Sequence, residues 1–498
     1  MSTTRATGAL HRTNERWPIA LGAVAAAAIA VPIAQAGLQW TLVALAAVCF
    51  AAVLLLARDR AIVTLVVLVL SLQFLLHKSF GDINEDIHSG ANAIFVNNID
   101  VLLIVLYGFW LGSGRFRADI ADAMRRREVV IPLVGSLAVL PSIVVATDLH
   151  LTVAELLRMT WMYLLFLYVA IRVRTRRDVA LLVVAFFAIG IAQSLIAALQ
   201  WRTGSSLGLS FLGEESSLGI RTIDEGEVLR PTGTVVHPIF LAALVAPIGL
   251  IAMSLAIVLR EQRWRVACGF VAVVAFVPLV LAQARASLLA AGVTLALLVF
   301  AMIRSGKLAI THVLIALAIT GAVGFVFLEP IQQKFADNLG TSQFQLEIEA
   351  RLELNDVAFA MIRESPLVGL GLNQFETVQP AYDQYGLLFA GNPVHNIYLL
   401  VAAETGLIGL AGFLAIYVTA FVMALRSARA RDPLLVGVGI GITAALTYFA
   451  LEELLSFALR QEMPLALFWI LSGLAVACAR MAGEAKSTPS REVTTDAP

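Results

Sequence analysis

The sequence is short of charge. Only 14% of its 498 residues are Asp, Glu, Lys or Arg, whereas a typical soluble domain carries about 25%. That leaves too little charge to coat a water-facing surface and excludes an ordinary soluble globular fold. Neither sign is in excess, with 35 basic and 35 acidic residues, so nothing points to nucleic acid as a partner. Three cysteines, Cys49, Cys268 and Cys478, are too few for a disulfide scaffold or a cysteine zinc cluster. The short basic loops contain no nucleotide-binding glycine pattern. What the chain has in abundance is apolar surface, with 59% hydrophobic residues and a mean hydropathy of +0.86. The composition implies an all-α, polytopic integral membrane helix bundle that lives in a lipid bilayer.

A spanning helix takes about 20 mostly apolar residues. On that criterion spans fall at 18–36, 39–57, 61–77, 93–112, 128–147, 153–171, 178–200, 233–259, 266–284, 286–303, 308–328, 394–425, 434–451 and 462–481, fourteen in all. The expected organisation is a cytoplasmic tail (1–17), a polytopic membrane domain (18–482) and a disordered cytoplasmic tail (483–498). Lys and Arg in short loops stay on the cytoplasmic side. Alternate connections hold 25 of the 35 basic residues, the opposite set holds nine, and Arg158 lies inside a span. Both termini are therefore expected in the cytoplasm of a cell whose inner (plasma) membrane holds the protein. Ala34-Gln35-Ala36 resembles a signal-peptidase site, but the first segment reads as a retained span.

The long connections, 78–92, 201–232 and 329–393, all fall on the opposite, extracytoplasmic side. Loops of this length are often functional. Chemistry placed there has no ATP or nucleotide sugar to draw on, so a substrate must arrive already activated. Within the largest loop, 342–363 reads as an amphipathic helix, its apolar side formed by Phe344, Ile348, Leu352, Val357 and Met361. It ends at Ser365-Pro366, and Gly369-Leu370-Gly371 follows as a tight turn.

Three residues at the outer ends of spans are candidates for chemistry. Arg285 tops a hairpin where Gly, Ser or Asn would suffice, on the side poor in basic residues. Its guanidinium suits paired hydrogen bonds to phosphate; the plain alternative is an arginine snorkelling to lipid headgroups. Arg230 precedes Pro231-Thr232-Gly233 and carries the same two readings, with Glu214, Glu215, Asp224, Glu225 and Glu227 as alternative ion-pair partners. His395 follows Asn392-Pro393, a helix-start signal, so it is either an anchor for that helix or a titratable group in an outer cavity. The segment 394–425 is longer than the bilayer core requires, and Gly406 and Gly409 offer a break that would lift His395 and Glu404 out of the lipid. At membrane depth, Asp100 and the pair Glu155/Arg158 must face the bundle interior, most simply as glue between helices.

His395-Asn396, nine residues, then Gly406-Leu407-Ile408-Gly409 resembles the H-N-x9-G-x-x-G pattern of the bacterial O-antigen ligase and O-antigen polymerase family. Arg230 to Pro238, Ala284-Arg285-Ala286-Ser287, and Arg351 ahead of Pro366-Leu367-Val368-Gly369-Leu370-Gly371 are similar to other family motifs, so the resemblance covers 230–425. The chain departs from the pattern at Ile239 and Asn355. The resemblance implies an inverting membrane glycosyltransferase with no metal and no cofactor. Its donor would be a glycan on undecaprenyl diphosphate, a polyprenyl carrier, and its acceptor a glycan or lipid. By the same resemblance His395 and Arg285 would be catalytic, with His395 as general base on the acceptor hydroxyl, since the unperturbed pKa of an imidazole, near 6.5, suits neutral pH. Arg230, Arg285, Arg351, His237 and Asn396 would bind the diphosphate or substrate, and Arg351 with its helix would hold the acceptor or close the site. Fourteen spans favour a polymerase of cell-envelope glycan over a ligase, because family ligases tend to have fewer. From other classes, a lipid or polysaccharide transporter or flippase would use Asp100, Glu155, Arg158 and Glu404, although no repeat symmetry is visible. A non-catalytic envelope scaffold is a third reading.

Overall fold

The computed structural model describes residues 38–74, 76–80, 83–84, 87–212, 214, 219–223, 226–306, 342–382 and 391–487. The chain divides into two units, one ending at Val63 and one beginning at Thr64. The first contains the apolar helix α1 (Leu38–Leu56) and the start of α2 (Arg60–Ser71). Everything below concerns the second.

After α2 come a short antiparallel hairpin, β1 (His77–Phe80) and β2 (Ile94–Asn97), then α3 (Asn98–Gly112), α4 (Phe116–Ala123), α5 (Arg127–Leu137), α6 (Leu149–Arg172) and α7 (Arg176–Thr203). A second antiparallel hairpin, β3 (Gly219–Ile223) and β4 (Gly226–Arg230), leads to α8 (Pro238–Val258), α9 (Gln262–Leu281) and α10 (Arg285–Arg304). The rest comprises α11 (Ser342–Glu364), the short α12 (Phe375–Val378), α13 (Ile397–Ser427), α14 (Pro433–Glu452) and α15 (Glu462–Ser487).

Among the described residues nine helices are long and apolar enough to span a bilayer, or ten if α3 and α4, bent by 105°, form one broken span. They coincide with nine of the fourteen expected spans. Three others come out shorter: α1 and α2 are short of a span in their described parts, and the segment expected at 93–112 begins as strand β2. The expected spans 18–36 and 308–328, the tail 1–17 and Ala34-Gln35-Ala36 lie outside the described residues. The disordered tail expected from 483 is corrected in part, since α15 runs on to Ser487 and 488–498 lie outside the described residues.

Helix starts follow local chemistry. Asn97 and Asp100 form a capping box on α3, and Thr175 and Asp178 form another on α7. Asp432 caps α14 ahead of Pro433. The burial pattern inverts that of a soluble protein: α8, α14 and α15 are the most buried helices, while α9 and α10 stand at the rim with Phe270, Val273, Leu289 and Phe300 exposed. Arg172, Arg174 and Arg176 stand at the far end of α6 and α7 from Leu149 and Thr203, about 36 Å away for a helix the length of α6.

At the end of the bundle away from those arginines, α13 breaks at Gly406 (φ 66°, ψ −173°), as its excess length leads one to expect. The backbone groups freed by the break are taken up by the Pro366–Gly371 turn. Leu407 N–H donates to Pro366 O (2.8 Å), Leu370 N–H to Ala403 O (3.0 Å) and Gly371 N–H to Glu404 O (2.9 Å). A Cβ on Gly406 would lie 2.2 Å from the Leu367 carbonyl carbon, and one on Gly369 (φ 71°) 2.3 Å from that of Glu404. No larger residue fits at either crossing.

Helix α11 forms where expected but buries a different face. Ile348 and Leu352 are exposed, while Ala350, Leu354, Val357, Ala358 and Met361 are buried. Leu354, Val357, Ala358 and Met361 pack against Phe375, Val394, Leu400 and Ala403. The buried set keeps a continuous helical period through two alanines; the larger apolar residues alone trace a stripe that slips by one residue between 352 and 357.

Candidate active site

The residues singled out in the sequence arrive from five separate elements. Arg230 closes β4, His237 is the N-cap of α8, Arg285 is the first residue of α10, Arg351 belongs to α11, and His395 lies two residues before the start of α13. All five line one cavity of about 470 Å³, together with Ile239, Gln283, Leu354 and Asn392. Among the described residues no carboxylate lines it. The N-termini of α8, α10 and α13 end around this cavity, and helix N-termini favour anions.

Arg230 and Arg351 are held by backbone oxygens nearby. Arg230 Nε donates to the Ala282 carbonyl (2.8 Å), in the turn before Arg285. That turn is made by Gln283, which adopts φ 50°, an uncommon left-handed conformation for a side chain this large. Arg351 Nη1 donates to Leu455 O (3.3 Å). Burial and then the charge of Arg285 push the Arg351 guanidinium below its ordinary value.

The imidazoles sit in the same field. Burial, then the charge of Arg230, lowers His237 to about 4. Its Nδ1 accepts from Ile239 N–H (3.2 Å), so it also caps α8. Burial lowers His395 to about 4 as well, with the charge of Arg351 pulling in the same direction. An unperturbed imidazole titrates near 6.5; burial among guanidiniums keeps this one neutral far below neutral pH. His395 packs edge-on against Phe457 at 5.3 Å, and its Nδ1 is buried with no hydrogen-bond partner among the described residues.

Asn396 is placed differently from the other five. Its side-chain oxygen accepts from Tyr398 N–H (3.0 Å) and Leu399 N–H (3.2 Å), capping α13, and it does not line the cavity. Expected as a substrate contact, it serves instead to start the helix that presents His395; Asn392 is the asparagine on the cavity wall.

Several residues that shape the site escaped sequence reading. Gln193 and Gln200, two turns apart on α7, hold the loop between Arg230 and His237. Gln200 Oε1 accepts from Gly233 N–H (2.9 Å) and Thr232 N–H (3.2 Å), and Gln193 Oε1 accepts from Thr234 N–H (3.1 Å). Gly233 (φ 64°) has no room for a Cβ, which would lie 2.2 Å from Gln193 Oε1. The available signal was two amides seven residues apart in an otherwise apolar span. Behind Arg285, Ser287 Oγ donates to Glu452 Oε1 (3.3 Å).

The charges at depth form a second group. Arg158 pairs with Glu155 (2.7 Å), three residues apart as expected. Arg460, which sequence reading passed over, pairs with Glu404 (3.1 Å) and reaches Glu155 (3.6 Å). It also donates to Ser89 O (2.7 Å) and Asn373 Oδ1 (3.1 Å). Glu376 accepts from Ser89 N–H (2.7 Å) and Ser89 Oγ (2.9 Å). These bonds tie the β1–β2 connection, the Gly371–Glu376 segment and α13 together, so the charges a transporter reading would use are engaged in fastening segments. Among the described residues no three His, Cys, Asp or Glu side chains gather at metal-binding spacing.

Residues 270–414 match the family described as O-Antigen ligase, a segment that contains Arg285, Arg351 and His395 and leaves Arg230 and His237 just outside. No curated protein matches the chain.

Proposed function

We propose, for a chain whose residues 270–414 match the family described as O-Antigen ligase, that it is a membrane glycosyltransferase moving a glycan from a polyprenyl (undecaprenyl) diphosphate carrier to an acceptor hydroxyl. The observation that supports this reading is the convergence of Arg230, Arg285, Arg351, His237 and His395 on one cavity that, among the described residues, no carboxylate lines. Guanidiniums brought to one cavity repel one another, an anion between them relieves that repulsion, and a diphosphate carries two or more negative charges.

In the proposed step the acceptor oxygen attacks the anomeric carbon, the bond from that carbon to the diphosphate oxygen breaks, and the acceptor proton passes to His395. Polyprenyl diphosphate leaves with the bonding electrons, and attack opposite the leaving group inverts the anomeric centre. The arginines neutralise the charge that accumulates on the leaving group, a part taken by a divalent cation in other phosphoryl and glycosyl transferases. A bound diphosphate offsets the arginine charge that holds His395 down, and so raises its basicity when a base is needed. The basic-loop asymmetry supports a cavity that opens on the extracytoplasmic side of the plasma membrane, with both termini cytoplasmic.

The fourteen spans expected from the sequence, nine of them full-length helices among the described residues, favour a polymerase, which joins one carrier-linked repeat to another. The second reading is a ligase that hands the finished glycan to a lipid or other envelope acceptor, and the ligase description of the matched family favours it. A deletion strain separates them. Loss of a polymerase leaves single repeats, and loss of a ligase leaves long chains on the carrier. In vesicles, the purified chain should release polyprenyl diphosphate from donor plus acceptor; flipping without any covalent product would overturn the enzyme reading in favour of a flippase.

A further inference from the structure

The end of the bundle marked by Arg172 and Arg174 carries an organised charge of its own. Helix α3 runs to Gly112, and α4 leaves it at 105°, so α4 lies across the end of the bundle instead of prolonging a span. The fold holds it there. Phe116 packs edge-on against Trp110 at 4.8 Å, and Ala123 is buried. Asp119 accepts from Trp110 Nε1 (2.9 Å), Arg172 Nη1 (3.3 Å) and Arg174 Nη2 (2.8 Å). One carboxylate thus ties α4 both to the helix before it and to the end of α6.

With the acids of the segment engaged, four arginines are left over. Residues 115–128 contain five arginines against Asp119, Asp122 and Glu128. Asp119 is matched by Arg172 and Arg174, and Asp122 pairs with Arg126. Glu128 is half-buried in the first turn of α5, where the helix dipole favours a carboxylate. Arg115, Arg117, Arg125 and Arg127 are exposed, and none makes a side-chain hydrogen bond or ion pair among the described residues.

The helices on either side of the segment indicate what faces this charge. Helix α3 exposes Val101, Ile104 and Leu111, and α5 exposes Ile131, Val134 and Leu137. Spans with exposed apolar flanks stand against lipid, so a segment strung between the ends of two of them lies where hydrocarbon gives way to headgroups. We propose that α4 and its flanking turns form a docking surface for the anionic phospholipid headgroups of the leaflet at this end of the bundle. Guanidiniums hydrogen-bond to phosphate oxygens, and each arginine at such a surface strengthens anionic-lipid binding about fivefold. A backbone fixed through Asp119 presents the arginines as a preset cluster, which lowers the ordering cost of binding. The assignment is independent of the glycosyltransferase reading.

Lipid binding to the purified full chain tests the surface. The chain is held in detergent and titrated with phosphatidylglycerol or with phosphatidylcholine, and native mass spectrometry counts the lipids retained. Wild type should prefer phosphatidylglycerol, and the preference should fall as ionic strength rises. Arg115→Gln, Arg117→Gln and Arg125→Gln combined should weaken phosphatidylglycerol binding on the order of a hundredfold and leave phosphatidylcholine binding unchanged. The unfolding temperature of that variant without added lipid should match the wild type, which separates lost binding from lost structure. A second triple variant, Arg260→Gln, Arg263→Gln and Arg265→Gln, removes the same charge from the α8–α9 connection and should cost at least about tenfold less. Equal losses in the two variants would mean that total charge, not this surface, draws the lipid, and the proposal fails. A wild-type chain that binds both lipids equally also overturns it, and leaves the patch to an acidic protein segment.

Discussion

Arg285 and Arg351, 66 residues apart in the sequence, line one cavity closely enough for the charge of Arg285 to lower the pKa of Arg351. Two like charges held together by the fold are a cost in the empty protein and an asset when an anion lies between them. The first prediction follows from this sign. Inorganic pyrophosphate should raise the thermal unfolding temperature of the wild-type chain, by the equivalent of about 2.7 kcal/mol at a hundred times its dissociation constant. Arg285→Ala should abolish that rise. A pyrophosphate effect that survives Arg285→Ala would place the anion elsewhere.

Removal of the charge-neutralising group and removal of the base should also be separable by rate. Arg285→Ala should lower kcat by about a hundredfold or more, the cost of losing one donor to a developing anion. His395→Ala should cost about 10²–10⁴-fold. Near-normal product formation by both variants, at normal protein levels, would remove these residues from the mechanism.

The depressed pKa of His395, about 4, fixes a sign for pH dependence. The imidazole is neutral from about pH 5 upward, so the acid limb of kcat/KM should fall well below the 6.5 of a free imidazole. Arg351→Ala removes a lowering charge and should shift that limb upward. Stability carries the same sign. The folded chain binds a proton on His395 less readily than the unfolded chain, so the contribution is full above about pH 6.5 and is lost as pH falls toward 4. Carbon-13 NMR of labelled histidine checks this directly, and a His395 resonance titrating at 6.5 with or without Arg351 would refute it.

At the α13 break, Gly369→Ala and Gly406→Ala should each destabilise the chain by at least about 1–3 kcal/mol, the cost of forcing a side chain into a left-handed backbone position. The close approach of the Glu404 and Leu367 carbonyls adds to it. Gly112→Ala, where a Cβ meets nothing within 4 Å, should be neutral. Unfolding temperatures of the three variants rank the effects, and equal values would mean that the crossing does not constrain α13.

Gln200→Leu tests the loop between Arg230 and His237. It leaves the buried backbone N–H groups of Thr232 and Gly233 without their acceptor, at about 1–3 kcal/mol each. Donor KM should rise along with the loss of stability, because the same loop carries Arg230. An unchanged KM would separate the loop from donor binding.

Nine of the spans, the break at Gly406 and the Glu155–Arg158 pair were legible in the sequence because each depends on short-range rules: hydrophobic length, helical period and i,i+3 spacing. The alternation of loops rich and poor in Lys and Arg set the expectation that Arg230, Arg285 and His395 share one side of the membrane. Residue chemistry alone, however, could not say that Asn396 spends its oxygen on a helix cap, or that α11 turns Leu354 rather than Leu352 to the core. Those outcomes depend on which neighbour a side chain meets. Arg460 and the two glutamines of α7 were missed for the same reason: their partners lie from 14 to more than 300 residues away in the chain. Composition determined that the chain is a membrane bundle, since its apolar surface has no other favourable solvent. Only the packing of helices decided that five dispersed basic residues share a cavity, because proximity across a bundle is a property of contacts and not of order along the chain.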